Sequence, residues 1–221
     1  MKFTQLARAK AAVIWEKNLQ HPFIKELHAG TLPSAIFRYY LLQDRYYLQQ
    51  LQQIYLQIAE HTEDVELQKM MVAGSERLIA GEVAIRETFF RELQITEAEI
   101  EQTPIAPTAY HYVSHMYRQL ITGSPTIAFA SLLPCVWLYQ EIGFLLNQTG
   151  SPQPLYQRWI ETCITDESVA IVRAEQEKLD QLYEMSSVVD QQKMLEAFFI
   201  STQMEHAFWE MAYTLENWTG E

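Results

Sequence analysis

Apolar residues recur every three or four positions almost from one end of the chain to the other. That is the helical period, and no stretch shows a period of two bounded by turn residues. The pattern predicts helices over 4–18, 23–28, 33–61, 64–93, 108–121, 125–147, 153–165, 167–186 and 189–218. His21-Pro22 interrupts the first pair. Gly30, then Pro33, reads as a stop followed by a start: Gly tolerates a left-handed C-terminal position, and Pro suits a first turn. Thr96 to Glu99 has the capping-box form for a short helix. Glu82 and Arg86 stand four apart with opposite charge, as an exposed pair would. Residues 103–108, with Pro104 and Pro107, are the clearest linker. Helices of the same kind continue beyond them, so the chain is read as one domain, 1–221: an all-α, single-domain helical bundle with short connections.

Three stripes carry a polar residue where an apolar one belongs. In 33–61 the stripe is Phe37, Leu41, Asp44, Leu48, Leu51, Tyr55, Ile58, with Asp44 the exception. In the last helix it is Met194, Phe198, Ser201, Glu205, Phe208, Ala212, Leu215, with Glu205 the exception. The helix at 125–147 gives Ala128, Leu132, Cys135, Tyr139, Ile142, Leu146, so Cys135 and Tyr139 share a face. Pro134 precedes the thiol. A mid-helix proline removes a donor and presses on the carbonyl of Ala130, at roughly 3 kcal/mol. Burying a carboxylate costs several kcal/mol unless it is paired or takes up a proton. Aromatic residues stand beside each group: Tyr47, Tyr139 and Phe208, with Tyr112 similarly placed between Ala109 and Met116. The competing reading puts Asp44 and Glu205 at stripe edges, paired with Arg or Tyr for structure.

Composition narrows the partners. The net charge is −12, with no basic face of the kind that neutralises phosphates or an anionic membrane surface. Hydrophobic residues are 48% and charged ones 20%, a globular balance. Two cysteines in a helical chain of 221 residues read as free thiols in a reducing compartment. The apolar run at 11–15 is too short for a signal peptide core. The longest, 127–139, is broken by Ser131 and Pro134 and falls short of the ~20 residues that span a bilayer. A cytoplasmic chain, binding neither nucleic acid nor membrane, is expected.

The three polar groups have a shared chemistry. A thiolate is a strong nucleophile once a neighbour takes its proton. A carboxyl with a raised pKa works as acid or base near neutral pH. Aromatic faces sandwich a flat ring while carboxylates hold its amino groups. The ligand inferred is a planar nitrogen heterocycle with exocyclic amines. His111 and His115 have a metal-ligand spacing, but no acid follows the first and no His stands three after an acid. No metal is expected. Cys163 reads as a small buried residue.

Several motifs, in order, resemble one family. His21-Pro22-Phe23-Ile24-Lys25-Glu26-Leu27 with Gly30-Thr31-Leu32-Pro33, then Phe37 to Asp44, looks like the opening of the TenA family, also called thiaminase II. Pro107-Thr108-Ala109-Tyr110 with Tyr112 and Ser114-His115-Met116 looks like its middle. Leu133-Pro134-Cys135, Trp137-Leu138-Tyr139 and Glu141-Ile142-Gly143 are similar to its cysteine motif, and Glu205 with Phe208-Trp209-Glu210-Met211-Ala212 to its C-terminal one. The resemblance implies a haem-oxygenase-like bundle, a homotetramer, and no cofactor. It implies hydrolysis of 4-amino-5-aminomethyl-2-methylpyrimidine to the hydroxymethyl pyrimidine for thiamin salvage, with thiamin as a further substrate. By position, Cys135 would add to the ring, Glu205 would handle the ring-nitrogen proton, and Asp44 would bind the amino group and assist the thiol. Tyr47, Tyr112, Tyr139 and Phe208 would line and stack on the ring. The family often has a Tyr where this chain has Cys163, a substitution that enlarges the substrate pocket or removes a hydroxyl.

Two other readings remain. One is a non-catalytic pyrimidine-binding or regulatory protein of the same fold, which would not need the thiol. The other is an oxidase of the related cofactor-biosynthesis branch, whose pocket would be histidine-rich; only His115 and His206 lie near the motifs.

Overall fold

Helical periodicity along the chain produces helices throughout, and their caps explain where they start. In a computed structural model, residues 1–219 are described, apart from the side chains of Glu82 and Arg86, so the pair expected there lies outside the described residues. The helices are α1 (Phe3–Lys10), α2 (Ala12–Leu19), α3 (Pro22–Ala29), α4 (Ser34–His61) and α5 (Val65–Ile85). A π-helical turn, Arg86–Phe90, follows, then α6 (Glu97–Gln102), α7 (Pro107–Thr122) and α8 (Pro125–Leu146). The last three are α9 (Pro154–Thr162), α10 (Asp166–Met185) and α11 (Val188–Thr214). Four of them begin on proline, where the missing N–H has no intrahelical partner to lose. The Ser124, Thr165 and Ser187 hydroxyls accept from the backbone N–H three residues on. Gly30 ends α3 at φ 72°, the left-handed position that favours glycine.

Several boundaries differ from the sequence expectation for local reasons. The helix expected at 4–18 divides at Ala11 (φ −87°, ψ 0°). The one expected at 64–93 passes into the π-helical turn. The last stops at Thr214, because Leu215 turns left-handed (φ 53°) and Glu216 N–H closes back on the Met211 carbonyl at 2.9 Å. Thr96 caps α6, but the Glu99 carboxylate turns to Arg38 instead of completing the box. The 103–108 linker is fastened to α4: the Gln43 amide donates to Pro104 O and accepts from Ala106 N–H, both at 2.9 Å.

α8 forms the axis of the bundle. It packs most extensively on α11 and also meets α4, α7, α9 and α10. Ile127 to Pro134 is buried without a break, so this part of the helix has no polar face. At 22 residues it is long and apolar enough to cross a membrane, unlike the shorter run expected, yet more than half of its most apolar window is inside the protein. Gly143 lets the α9–α10 junction close on α8. A Cβ there would stand 2.6 Å from Ile164 Cγ2 and 2.8 Å from Cys163 Cβ. That approach sets Cys163 beside the central helix.

Candidate active site

A cavity of about 900 Å³ opens between α4, α5, α8, α9 and α10. Four of the residues singled out from the sequence line it: Asp44, Cys135, Tyr139 and Cys163. The i, i+4 spacing of Cys135 and Tyr139 on α8 puts both in one wall. Cys163 faces them from the end of α9, so it is part of the pocket and not only a small buried residue.

The other four, Tyr47, Tyr112, Glu205 and Phe208, form a buried layer behind the thiol and do not line the open space. Tyr112 donates to Glu205 Oε1 at 2.5 Å. The Tyr47 ring stands 4.9 Å from that of Tyr112 and 5.8 Å from that of Phe208. Glu205 is thus Tyr-paired, as the structural reading proposed, but it is also close enough to Cys135 for its charge to act on the thiol.

Electrostatics follow from this burial. Desolvation pushes Asp44 up to about 7. It pushes Glu205 up to about 8; the Tyr112 bond pulls back, and the charge of Asp44 adds to the rise. Cys135 lies well above the usual thiol range, through burial first and then the charge of Glu205, with a hydrogen bond to Tyr47 opposing. Cys163 is pushed up to about 12 by burial. The resting thiol is therefore protonated beside two carboxyls that titrate near neutral pH. Such a set can pass a proton in either direction.

Sequence reasoning missed three parts of the wall. The Tyr40 hydroxyl sits 3.2 Å from that of Tyr139 and holds it in place. The Trp159 ring packs on Tyr139 at 5.8 Å. On α10, Glu175 is fully buried and accepts from the Tyr55 hydroxyl at 3.3 Å. Its signal was available: Val172, Glu175, Leu179, Leu182 is another apolar stripe with one acidic exception. No histidine lines the cavity among the described residues. His115 is engaged with Ala197 O and Gln119, and His206 packs against His21.

This architecture and sequence have known counterparts. The sequence pattern of the TENA/THI-4/PQQC family matches residues 8–215. The aminopyrimidine aminohydrolase of Bacillus subtilis (strain 168) is 37% identical over 219 residues, which cover 99% of this chain and 93% of that protein. A TenA homologue protein from P. horikoshii OT3 superposes with a TM-score of 0.88 at 25% identity, over 97% of this chain and 99% of the other. At 13% identity, a domain of unknown function from Shewanella denitrificans OS217 shares the heme oxygenase-like fold, with a TM-score of 0.67 over 97% and 93% of the two chains. With a match that spans nearly its whole length, the chain belongs to the TENA/THI-4/PQQC family.

Proposed function

We propose that this chain is an aminopyrimidine aminohydrolase of thiamin salvage that works through a covalent bond to Cys135. One observation carries the reading: a protonated thiol lies in a cavity wall, flanked by two buried carboxyls that titrate near neutral pH. The pyrimidine ring stacks by Tyr139, and the Asp44 carboxylate accepts a hydrogen bond from its exocyclic amine. A carboxylate takes the proton of Cys135, and the sulfur adds to the ring as Glu205 protonates a ring nitrogen, the ring having pressed past the thiol to reach the buried layer that holds this carboxyl. The electron pair of the C–N bond at the 5-methylene leaves with the amine, which takes up a proton to depart as ammonia. Water adds to the methylene carbon, the sulfur leaves the ring, and the thiol regains its proton. The balance is aminomethyl pyrimidine plus water giving hydroxymethyl pyrimidine plus ammonia. Thiamin would react in the same way, with its thiazole ring departing.

The proposal includes a single domain, since residues on both sides of 103–108 share one core. It also includes a homotetramer in the cytoplasm. α5 keeps Val65, Val72, Ile79 and Val83 exposed, as a helix meeting another subunit would, and both thiols are free. The deciding assay incubates purified protein with the aminomethyl aminopyrimidine and, separately, with thiamin, and follows ammonia and thiazole. Cys135→Ser should abolish release while still binding the pyrimidine. Release at the wild-type rate from that variant would refute covalent catalysis, and none from the wild type would favour a non-catalytic binder.

A further inference from the structure

The cavity is larger than a single pyrimidine ring requires. Pockets of about 300–1,000 Å³ hold drug-sized ligands, and this one reaches about 900 Å³. The surplus lies beyond Cys135, toward the space between α5 and α10. α5 leaves it open: Gly81 and Ala84 line it, and a Cβ built on Gly81 meets nothing within 4 Å. One turn pair earlier, Gly74 lets the Tyr55 ring lie against the helix backbone, since a Cβ there would stand 2.4 Å from Tyr55 Cε1. Tyr55 thereby reaches Glu175.

Glu175 is the unexplained group. It is 0% exposed, and only Oε1 is bonded, to Tyr55; Oε2 has no hydrogen-bond partner among the described residues. A buried carboxylate kept for structure normally has its oxygens satisfied. The charged lining is acidic overall: Asp44, Glu161, Glu167 and Glu175 against Arg77 and Arg158, with Arg158 already paired to Glu92. Burial pushes Glu175 up to about 7, with Arg77 and the Tyr55 bond pulling back toward the ionised form, and the charge it carries when ionised is felt at Cys135.

We propose that Glu175, seated by Tyr55 in this outer chamber, is a specificity-determining residue that selects substrates whose leaving group is a positively charged ring. The inference rests on the hydrolase reading above. A cationic ring in the chamber offsets the unpaired carboxylate, and its charge near the thiol opposes the field that keeps Cys135 protonated. An amine directly on the methylene is too small to occupy the chamber and gains little from it.

The test compares wild type, Glu175→Gln and Gly81→Leu. Glutamine keeps the shape and the bond to Tyr55 without the charge; leucine fills open space and improves helix propensity, so its folding is secure. For each, kcat/KM is measured for thiamin, whose leaving group is a thiazolium, and for the aminomethyl pyrimidine. Thiamin affinity is also measured by calorimetry in a Cys135→Ser background. In both variants the thiamin-to-aminomethyl ratio should fall, and thiamin binding should weaken, by about tenfold or more, through loss of the nearby charge in Glu175→Gln and of the space for the ring in Gly81→Leu. Ratios and affinities within about twofold of the parent would overturn the proposal. If the wild type released neither product, the hydrolase reading would fail, and the calorimetry would still decide on the chamber.

Discussion

Replacing Glu205 with glutamine should make this protein more stable at alkaline pH while removing its activity. The carboxyl sits behind Cys135 with its pKa raised from 4.5 to about 8, chiefly by burial. Between those values the folded chain holds a proton that the unfolded chain releases. Its contribution to stability is thus fully present below 4.5 and is lost as the pH rises through about 8. Each pH step is about 1.4 kcal/mol, so the whole span comes to roughly 5 kcal/mol once the carboxyl is ionised. Glutamine has nearly the same shape, and its carbonyl still accepts from Tyr112, so Glu205→Gln isolates the charge. Urea and thermal unfolding of both proteins, from about pH 5 to about pH 9, should give curves that coincide in acid and diverge in base. By about pH 9 the gap should reach several kcal/mol, on the order of 10 °C in Tm. Parallel curves across the range would refute the claim that Glu205 is forced to ionise in a dry site. So would a variant that loses stability as the pH rises faster than the wild type does.

Two further outcomes follow from the same geometry. Tyr112→Phe removes the hydroxyl that favours ionised Glu205, so the limb of the kcat/KM profile that reports Glu205 should move to higher pH; an unmoved limb in a folded variant would detach that bond from the chemistry. Gly143→Ala drives a methyl into Ile164 and Cys163 and should cost about 1–2 kcal/mol after the gain in helix propensity, read by urea unfolding, with stability at or above wild type as the refuting result.

The fold was legible because a period of 3.6 recurs along most of the helices, and the apolar run in α8 is too long for a buried strand. Ends set by backbone geometry were not: the left-handed Leu215 and the π-helical turn at Arg86–Phe90 carry no apolar signature. Polar breaks in apolar stripes located Asp44, Cys135 and Glu205, and the same test applied to α10 would have added Glu175. Tyr40 and Trp159 stayed hidden because an aromatic residue on an apolar face looks like core whether or not a cavity adjoins it. Depth was also illegible. A stripe gives the direction in which Glu205 points, but only the packing of α11 on α8 decides that it stands behind the thiol while Asp44 reaches the opening. Cys163 depended on Gly143, a residue on another helix.

The apolar girth of α8 matters before the protein is finished. Synthesis delivers α8 well ahead of α10 and α11, the partners that cover much of it. Until the chain has grown through Thr214, a 22-residue helix with the character of a membrane span waits without its main shield. The nascent chain is then sticky, and the buried layer behind Cys135 is incomplete, because Glu205 and Phe208 arrive last. Chaperones that hold exposed apolar helices would have their longest claim on this protein in that interval.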